Sequence, residues 1–214
     1  MKITVEELYH LLLKHLGDPG WWPADSLYEI MIGAILIQNT NWHNVALSLR
    51  KLKERQLLIP QNMFQLSAED LKPLIRSSGF YQAKSRSIIS LTDWLSQYQF
   101  DLASISQKPI KELRQELLEI KGIGNETADV LLLYVFQKNV FVVDTYTKRI
   151  FNQLGYLDTK QDRLFQQKVE TNLSLTLSEQ QMFHGLLDEF AKLYLRKNRE
   201  QWDTSFLADY QLDL

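Results

Sequence analysis

At 214 residues, 45% of them apolar and 23% charged, the chain is long enough to bury a sizeable core as one domain or two small ones. No apolar run approaches the roughly 20 residues a membrane-spanning helix needs, and the opening Met1-Lys2-Ile3-Thr4-Val5-Glu6-Glu7 is too acidic and polar for a secretory signal, which points to a cytoplasmic protein. Cysteine is absent, which excludes disulfides, thiolate zinc sites and an iron-sulfur cluster held by four thiolates, and the net charge of −2 does not mark out a nucleic-acid binder, although a local basic face is invisible to the global sum.

Apolar residues recur at three- and four-residue spacing almost throughout, which predicts an all-α protein. A first helix is expected over residues 4 to 16, with Thr4 as N-cap, Glu7 three positions on, and Leu8, Leu11 and Leu12 on one face. Gly17-Asp18-Pro19-Gly20 ends it. Trp21-Trp22-Pro23 then leads through Ser26 into a strongly apolar helix, Leu27 to Ile37. Two adjacent tryptophans either cover a helix junction or present a stacking wall, and the two roles are compatible. After Gln38-Asn39-Thr40, a helix from about Trp42 to Leu57 turns Val45, Leu49 and Leu52 inward. Arg50, Lys51, Lys53 and Arg55 face outward, the pattern of a solvated face more than of a DNA contact.

Ser67 opens a short helix that Gly79 stops, Tyr81 to Tyr98 forms another, and Pro109 suits the first turn of the helix leading to Leu118. Then comes a tight hairpin, Gly122-Ile123-Gly124. Its two glycines permit φ > 0 and close approach to a ligand, and Asn125 or Thr127 would cap the helix that opens there, Glu126 to Gln137. Amides at such a helix start point outward, where a phosphate oxygen fits. Val140-Phe141-Val142-Val143 is the one β-like run and at four residues reads as a buried connector. Asp144 or Thr145 caps Tyr146 to Leu154, and helices follow near Asp162 to Leu173 and Ser178 to Lys197. Lys192, Arg196, Lys197 and Arg199 form either a DNA-facing patch or a soluble helix end.

Gly122-Ile123-Gly124 followed twenty positions after Gly124 by Asp144 resembles the helix-hairpin-helix DNA glycosylase superfamily, which includes endonuclease III. Leu36-Ile37-Gln38-Asn39-Thr40 and Gly79-Phe80-Tyr81-Gln82-Ala83-Lys84 are similar to two further loop signatures of that family, so the resemblance spans roughly residues 20 to 155. It implies a six-helix bundle over residues 26–138. Residues 1–25 and 139–214 would form a second helical domain, with a cleft between the two. It also implies a monomer acting on double-stranded DNA that carries damaged bases.

Within that resemblance each task falls to a residue type suited to it. Backbone amides around Gly122, Ile123, Gly124 and Asn125 would grip phosphate without reading sequence, and the hairpin could hold a monovalent cation; no other metal or cofactor is expected. Gln38 and Phe80 would fill the gap left by an extruded nucleotide, although Phe80 also suits a core. Asp144 would stabilise the positive charge that the sugar gains as the base departs, or orient the attacking water. In bifunctional members a lysine two residues after the second hairpin glycine forms a Schiff base with the sugar. Here that position is Glu126, which cannot form an imine, and a monofunctional enzyme is expected.

The Gly-Ile-Gly-x-Glu-Thr-Ala-Asp hairpin, Trp-Trp-Pro and Gln-Asn-Thr together resemble the 3-methyladenine DNA glycosylase III branch. There, residues matching Trp21, Trp22, Trp42, Glu126 and Asp144 line the active site, and Pro23 would fix the tryptophan pair. Trp42 suits core packing equally well. A cationic alkylated purine is drawn to aromatic faces by roughly 0.5 to 2 kcal/mol. Two other readings stay open: a monofunctional glycosylase for a mispaired or oxidised base, and a catalytically silent binder of damaged DNA.

Overall fold

The computed structural model describes residues 1–196 and 199–214, for the most part as α-helix. In chain order the helices are α1 (Val5–Leu16), α2 (Leu27–Leu36), α3 (Trp42–Glu54), α4 (Pro60–Met63), α5 (Ala68–Leu71), α6 (Tyr81–Ser96), α7 (Leu102–Ser106), α8 (Ile110–Glu119), α9 (Asn125–Tyr134), α10 (Thr145–Gln153), α11 (Asp162–Thr171) and α12 (Leu177–Tyr194). The chain divides into two compact units, one of residues 24–138 and one of residues 1–23 with 139–214.

In the continuous unit, α2 and α9 pack together at the centre. Both are apolar on nearly every side and buried over most of their length, as expected of helices wrapped by others. The buried Tyr28 hydroxyl pairs with Thr92 at 2.7 Å, which satisfies two polar groups in the interior. The expected short helix after Ser67 is a single turn, α5, closed by a capping box with Asp70. A 3₁₀ turn, Arg76–Ser78, then carries the chain to Gly79.

The other unit is built from both ends of the chain. Its core gathers Phe141, Phe151, Phe165, Phe183 and Phe190 with Leu8 and Leu12, and α12 packs against α1 and α10. Two short strand pairs were not foreseen from the sequence. Lys2–Ile3 runs parallel to Gln211–Leu212, joining the termini, and Leu195–Arg196 pairs with Arg199–Glu200. Two-residue strands carry no readable alternation. The run Val140 to Val143 is a buried connector pinned at Phe141 by side chains of α11. Phe141 N–H donates to Glu170 at 3.0 Å, and Gln166 Nε2 donates to the Phe141 carbonyl at 2.7 Å.

Candidate active site

The hairpin lies between α8 and α9, in the continuous unit. Gly122 has φ +88°, and a Cβ there would stand 1.9 Å from Ser87 Oγ on α6, so both conformation and packing demand glycine. Gly124 differs from expectation: its φ is −96°, and it is the N-cap of α9. An added Cβ would meet nothing within 4 Å there, so its glycine leaves open space beside the helix start. Ile123, 5% exposed, anchors the turn in the core.

Neither Asn125 nor Thr127 caps α9, contrary to the sequence reading. Asn125 is the first helical residue, and no side chain caps the N-terminus. Both side chains are engaged elsewhere: Asn125 Oδ1 accepts from Arg114 at 3.2 Å, and Thr127 Oγ1 accepts from Gln38 Nε2 at 3.0 Å. Arg114 also makes a fork of two bonds to the buried Asp129, at 2.7 and 3.2 Å, which clamps α8 to α9 beneath the hairpin. Glu126 is exposed in the first turn of α9, where the helix dipole favours a carboxylate.

Gln38, on the loop after α2, donates to the Gly122 carbonyl at 3.2 Å as well as to Thr127, so the first loop signature is tied to the hairpin. The second signature is tied to the first through Lys84. Its ammonium, on a residue 3% exposed, donates to the carbonyls of Leu36 at 2.8 Å and Ser78 at 2.7 Å, and burial pushes its pKa down to about 8. Phe80, between these points, is 68% exposed and left-handed at φ 46°, which removes its core alternative. A bulky residue in that conformation stores strain. Trp42 is half-buried in the first turn of α3.

In the other unit, Asp144 follows the buried connector and is the N-cap of α10; its Oδ1 accepts the Thr147 N–H at 2.6 Å. The helix engages one of the two carboxylate oxygens. Trp21 and Trp22, half-buried, meet edge to face at 5.1 Å, and Pro23 beside them is exposed. Trp21 seats on α12: a Cβ at Gly185 would lie 2.4 Å from its Cδ1, and Lys192 Nζ sits 4.8 Å over the ring.

His184 Nε2 is 4.0 Å from Asp144 Oδ2, a neighbour that sequence reasoning missed. The four-residue spacing of His184, Asp188 and Lys192 puts all three on one helix face, but it carries no sign that this face meets Asp144. Of the expected basic patch, Lys192 is bound to Asp188 at 2.7 Å and Glu189 at 2.8 Å. Lys197 lies outside the described residues, as do the side chains of Arg196 and Arg199.

A four-thiolate cluster finds no ligands in a chain without cysteine. Near the C-terminus, Trp202 and Phe206 pack instead on Phe190 at 5.8 and 5.3 Å. The hairpin carbonyls of Ile120 and Gly122 each accept one N–H, at 3.0 and 3.2 Å, and each keeps a second lone pair, so the donor set admits a monovalent cation. Among the described residues, no group of three or more His, Cys, Asp or Glu could hold a metal ion, and no helix is long and apolar enough to cross a membrane.

Comparison with known proteins places this geometry. Residues 32–174 match the model of the HhH-GPD superfamily of base excision DNA repair proteins, and the chain belongs to that superfamily. The class it defines is the DNA glycosylases of base excision repair. A Methanocaldococcus jannaschii protein, provisionally named a DNA repair glycosylase, is 37% identical over 90% of this chain and 89% of its own length. Endonuclease III of Thermotoga maritima is 29% identical over 73% of this chain and 68% of its own. Among solved structures, the Helicobacter pylori 3-methyladenine DNA glycosylase bound to 1,N6-ethenoadenine superimposes with a TM-score of 0.77 at 28% identity, covering 89% of this chain and 98% of that one. A trapped endonuclease III–DNA covalent intermediate shares the fold, with a TM-score of 0.76 at 22% identity over 96% of this chain and 94% of that one.

Proposed function

We propose that the protein is a monofunctional DNA glycosylase that removes alkylated purines such as 3-methyladenine from double-stranded DNA and leaves an abasic site without cutting the strand. The observation that carries this reading is the placement of Asp144. A buried connector, bonded at Phe141 to side chains of α11, delivers its carboxylate to a helix N-terminus, in the same unit as the paired tryptophans. Likeness to the 3-methyladenine glycosylase supports the choice of lesion.

In the reaction, the bond between C1′ of the deoxyribose and the purine nitrogen breaks, and both electrons leave with the base. A cationic methylated purine departs neutral, so it needs little help from an acid. The sugar becomes oxocarbenium-like, and a fixed carboxylate lowers the energy of that charge. Water then bonds to C1′ and gives up a proton to the carboxylate or to solvent. The hairpin N–H groups would hold the phosphate backbone, and the open space beside Gly124 suits such an approach. Gln38 and Phe80 would occupy the vacated stack, and Trp21, Trp22 and Trp42 would contact the base. Glu126, in place of a Schiff-base lysine, is the reason for assigning no strand cleavage.

One observation favours a second reading, excision of a neutral mispaired or oxidised base. Lys192 already sets a positive charge over Trp21, where a cationic base would gain least, although Asp188 and Glu189 offset it. The test is to incubate the protein with methylated, mismatched and oxidised duplexes and identify the released base by chromatography. Release of 3-methyladenine supports the first reading and release of another base the second. Binding without release would mean a silent binder. Borohydride trapping of a protein–DNA adduct would contradict the assignment drawn from Glu126.

A further inference from the structure

The catalytic carboxylate proposed above has a titratable neighbour that the reaction does not use. Asp144 Oδ1 is held by the Thr147 N–H at 2.6 Å, while Oδ2 is flanked by His184 Nε2 at 4.0 Å. The imidazole is 12% exposed and the carboxylate 14%, so water screens the pair weakly. Neither group can drift far. Asp144 is fixed by the helix it caps, and His184 lies in the middle of α12, beside Gly185, on which Trp21 seats.

Among the described residues, the charged groups that bear on the ring include Asp144 from the start of α10, and Asp188 and Lys192 from its own helix. The last two are bound to each other at 2.7 Å, so their effects largely cancel. Burial then decides, and His184 titrates below its ordinary value of 6.5 despite the pull of Asp144. At neutral pH the ring is uncharged, and no imidazolium stands beside Oδ2. Below the titration a cation stands beside Oδ2, competing with the sugar for the carboxylate and repelling the charge that develops there.

We propose that His184 is the positioning residue of Asp144 and the group that switches base excision off in acid. Neutral, it packs beside Oδ2, limits where the carboxylate can turn and leaves its charge to the sugar; protonated, it pairs with that charge in place and offsets it for the reacting sugar. The inference rests on the reading of Asp144 as the group that stabilises the sugar cation.

The experiment measures base release from methylated duplex as a function of pH in the wild-type protein, His184→Gln and His184→Ala. In the wild type kcat falls on acidification with a midpoint below 6.5. His184→Gln keeps an amide N–H near the Nε2 position and cannot be protonated, so this acid limb disappears. His184→Ala lowers kcat at neutral pH on the order of tenfold with KM unchanged, and His184→Gln recovers most of that loss. A wild-type acid limb in His184→Gln overturns the proposal, as does an unchanged kcat in His184→Ala. Should the variants fail to fold, imidazole NMR of the wild type and Asp144→Asn decides: the His184 midpoint falls further once the carboxylate is gone, and an unmoved midpoint overturns the coupling. An Asp144→Asn protein that still excises bases defeats the underlying reading of the site. Failure of the His184 variants alone leaves that reading standing.

Discussion

The side-chain amide of Gln38 donates to the Gly122 carbonyl, 84 residues away in the chain, and so latches the loop after α2 onto the hairpin. Entering a DNA stack requires Gln38 to release this bond and its bond to Thr127. Removing them should destabilise the free protein by about 1 kcal/mol per bond. Gln38→Leu should melt earlier than the wild type and still excise, because its bulk remains, whereas Gln38→Ala should lose both stability and excision from duplex. Equal excision by the two variants would deny the residue a gap-filling role.

The two hairpin glycines should respond differently to alanine. Gly122→Ala forces φ +88° on a side chain and drives it into Ser87, which predicts a loss of roughly 1–3 kcal/mol with weakened DNA binding. Gly124→Ala meets nothing in the protein and should fold as well as the wild type. Its defect should appear only when a duplex is titrated in. Urea unfolding and fluorescence anisotropy separate the two outcomes.

Gly185→Ala probes Trp21 without replacing it. The new methyl would overlap the Trp21 ring, the nearest atom at 2.4 Å, so the indole must shift. Excision of methylated purines should fall by more than duplex affinity does, with a stability cost of about 1–3 kcal/mol. Parallel losses would mark Trp21 as packing alone.

Lys84 gives a stability signature in alkali. Its pKa is depressed from 10.5 to about 8, so between those values the unfolded chain holds a proton that the folded chain has released. Stability from this group therefore rises as pH climbs through that window. Lys84→Met should abolish the rise. At neutral pH it should also cost about 1–3 kcal/mol for each carbonyl left without its donor, less the relief of no longer burying a charge. Urea midpoints at the two ends of the window provide the check.

Local signals explain what was legible in the sequence. The Thr4–Glu7 capping box and the Asp144 cap each depend on residues within a few positions, and each stands where the sequence places it, whereas Gly79 closes a 3₁₀ turn and not the helix opened at Ser67, which ends at Leu71. The buried connector was readable because Val140 to Val143 is too short and too apolar for anything else. Partners distant in the chain were not readable. Lys84 looks like a solvated charge until Leu36 and Ser78 close over it, and nothing near residue 144 announces His184. The α9 cap misled because Asn125 and Thr127 are good capping residues, and only the fold shows Arg114 and Gln38 engaging them.

The most direct test of the account compares wild-type protein with Asp144→Asn on methylated duplex, scoring both free base and strand breaks. The wild type should release 3-methyladenine and leave intact strands that break only on later alkali treatment. Asp144→Asn should bind the duplex and release at least a hundredfold less, on the order of the loss when an electrostatic group aimed at developing charge is removed. Undiminished release by Asp144→Asn, or strand cleavage by the wild type before alkali, would contradict it.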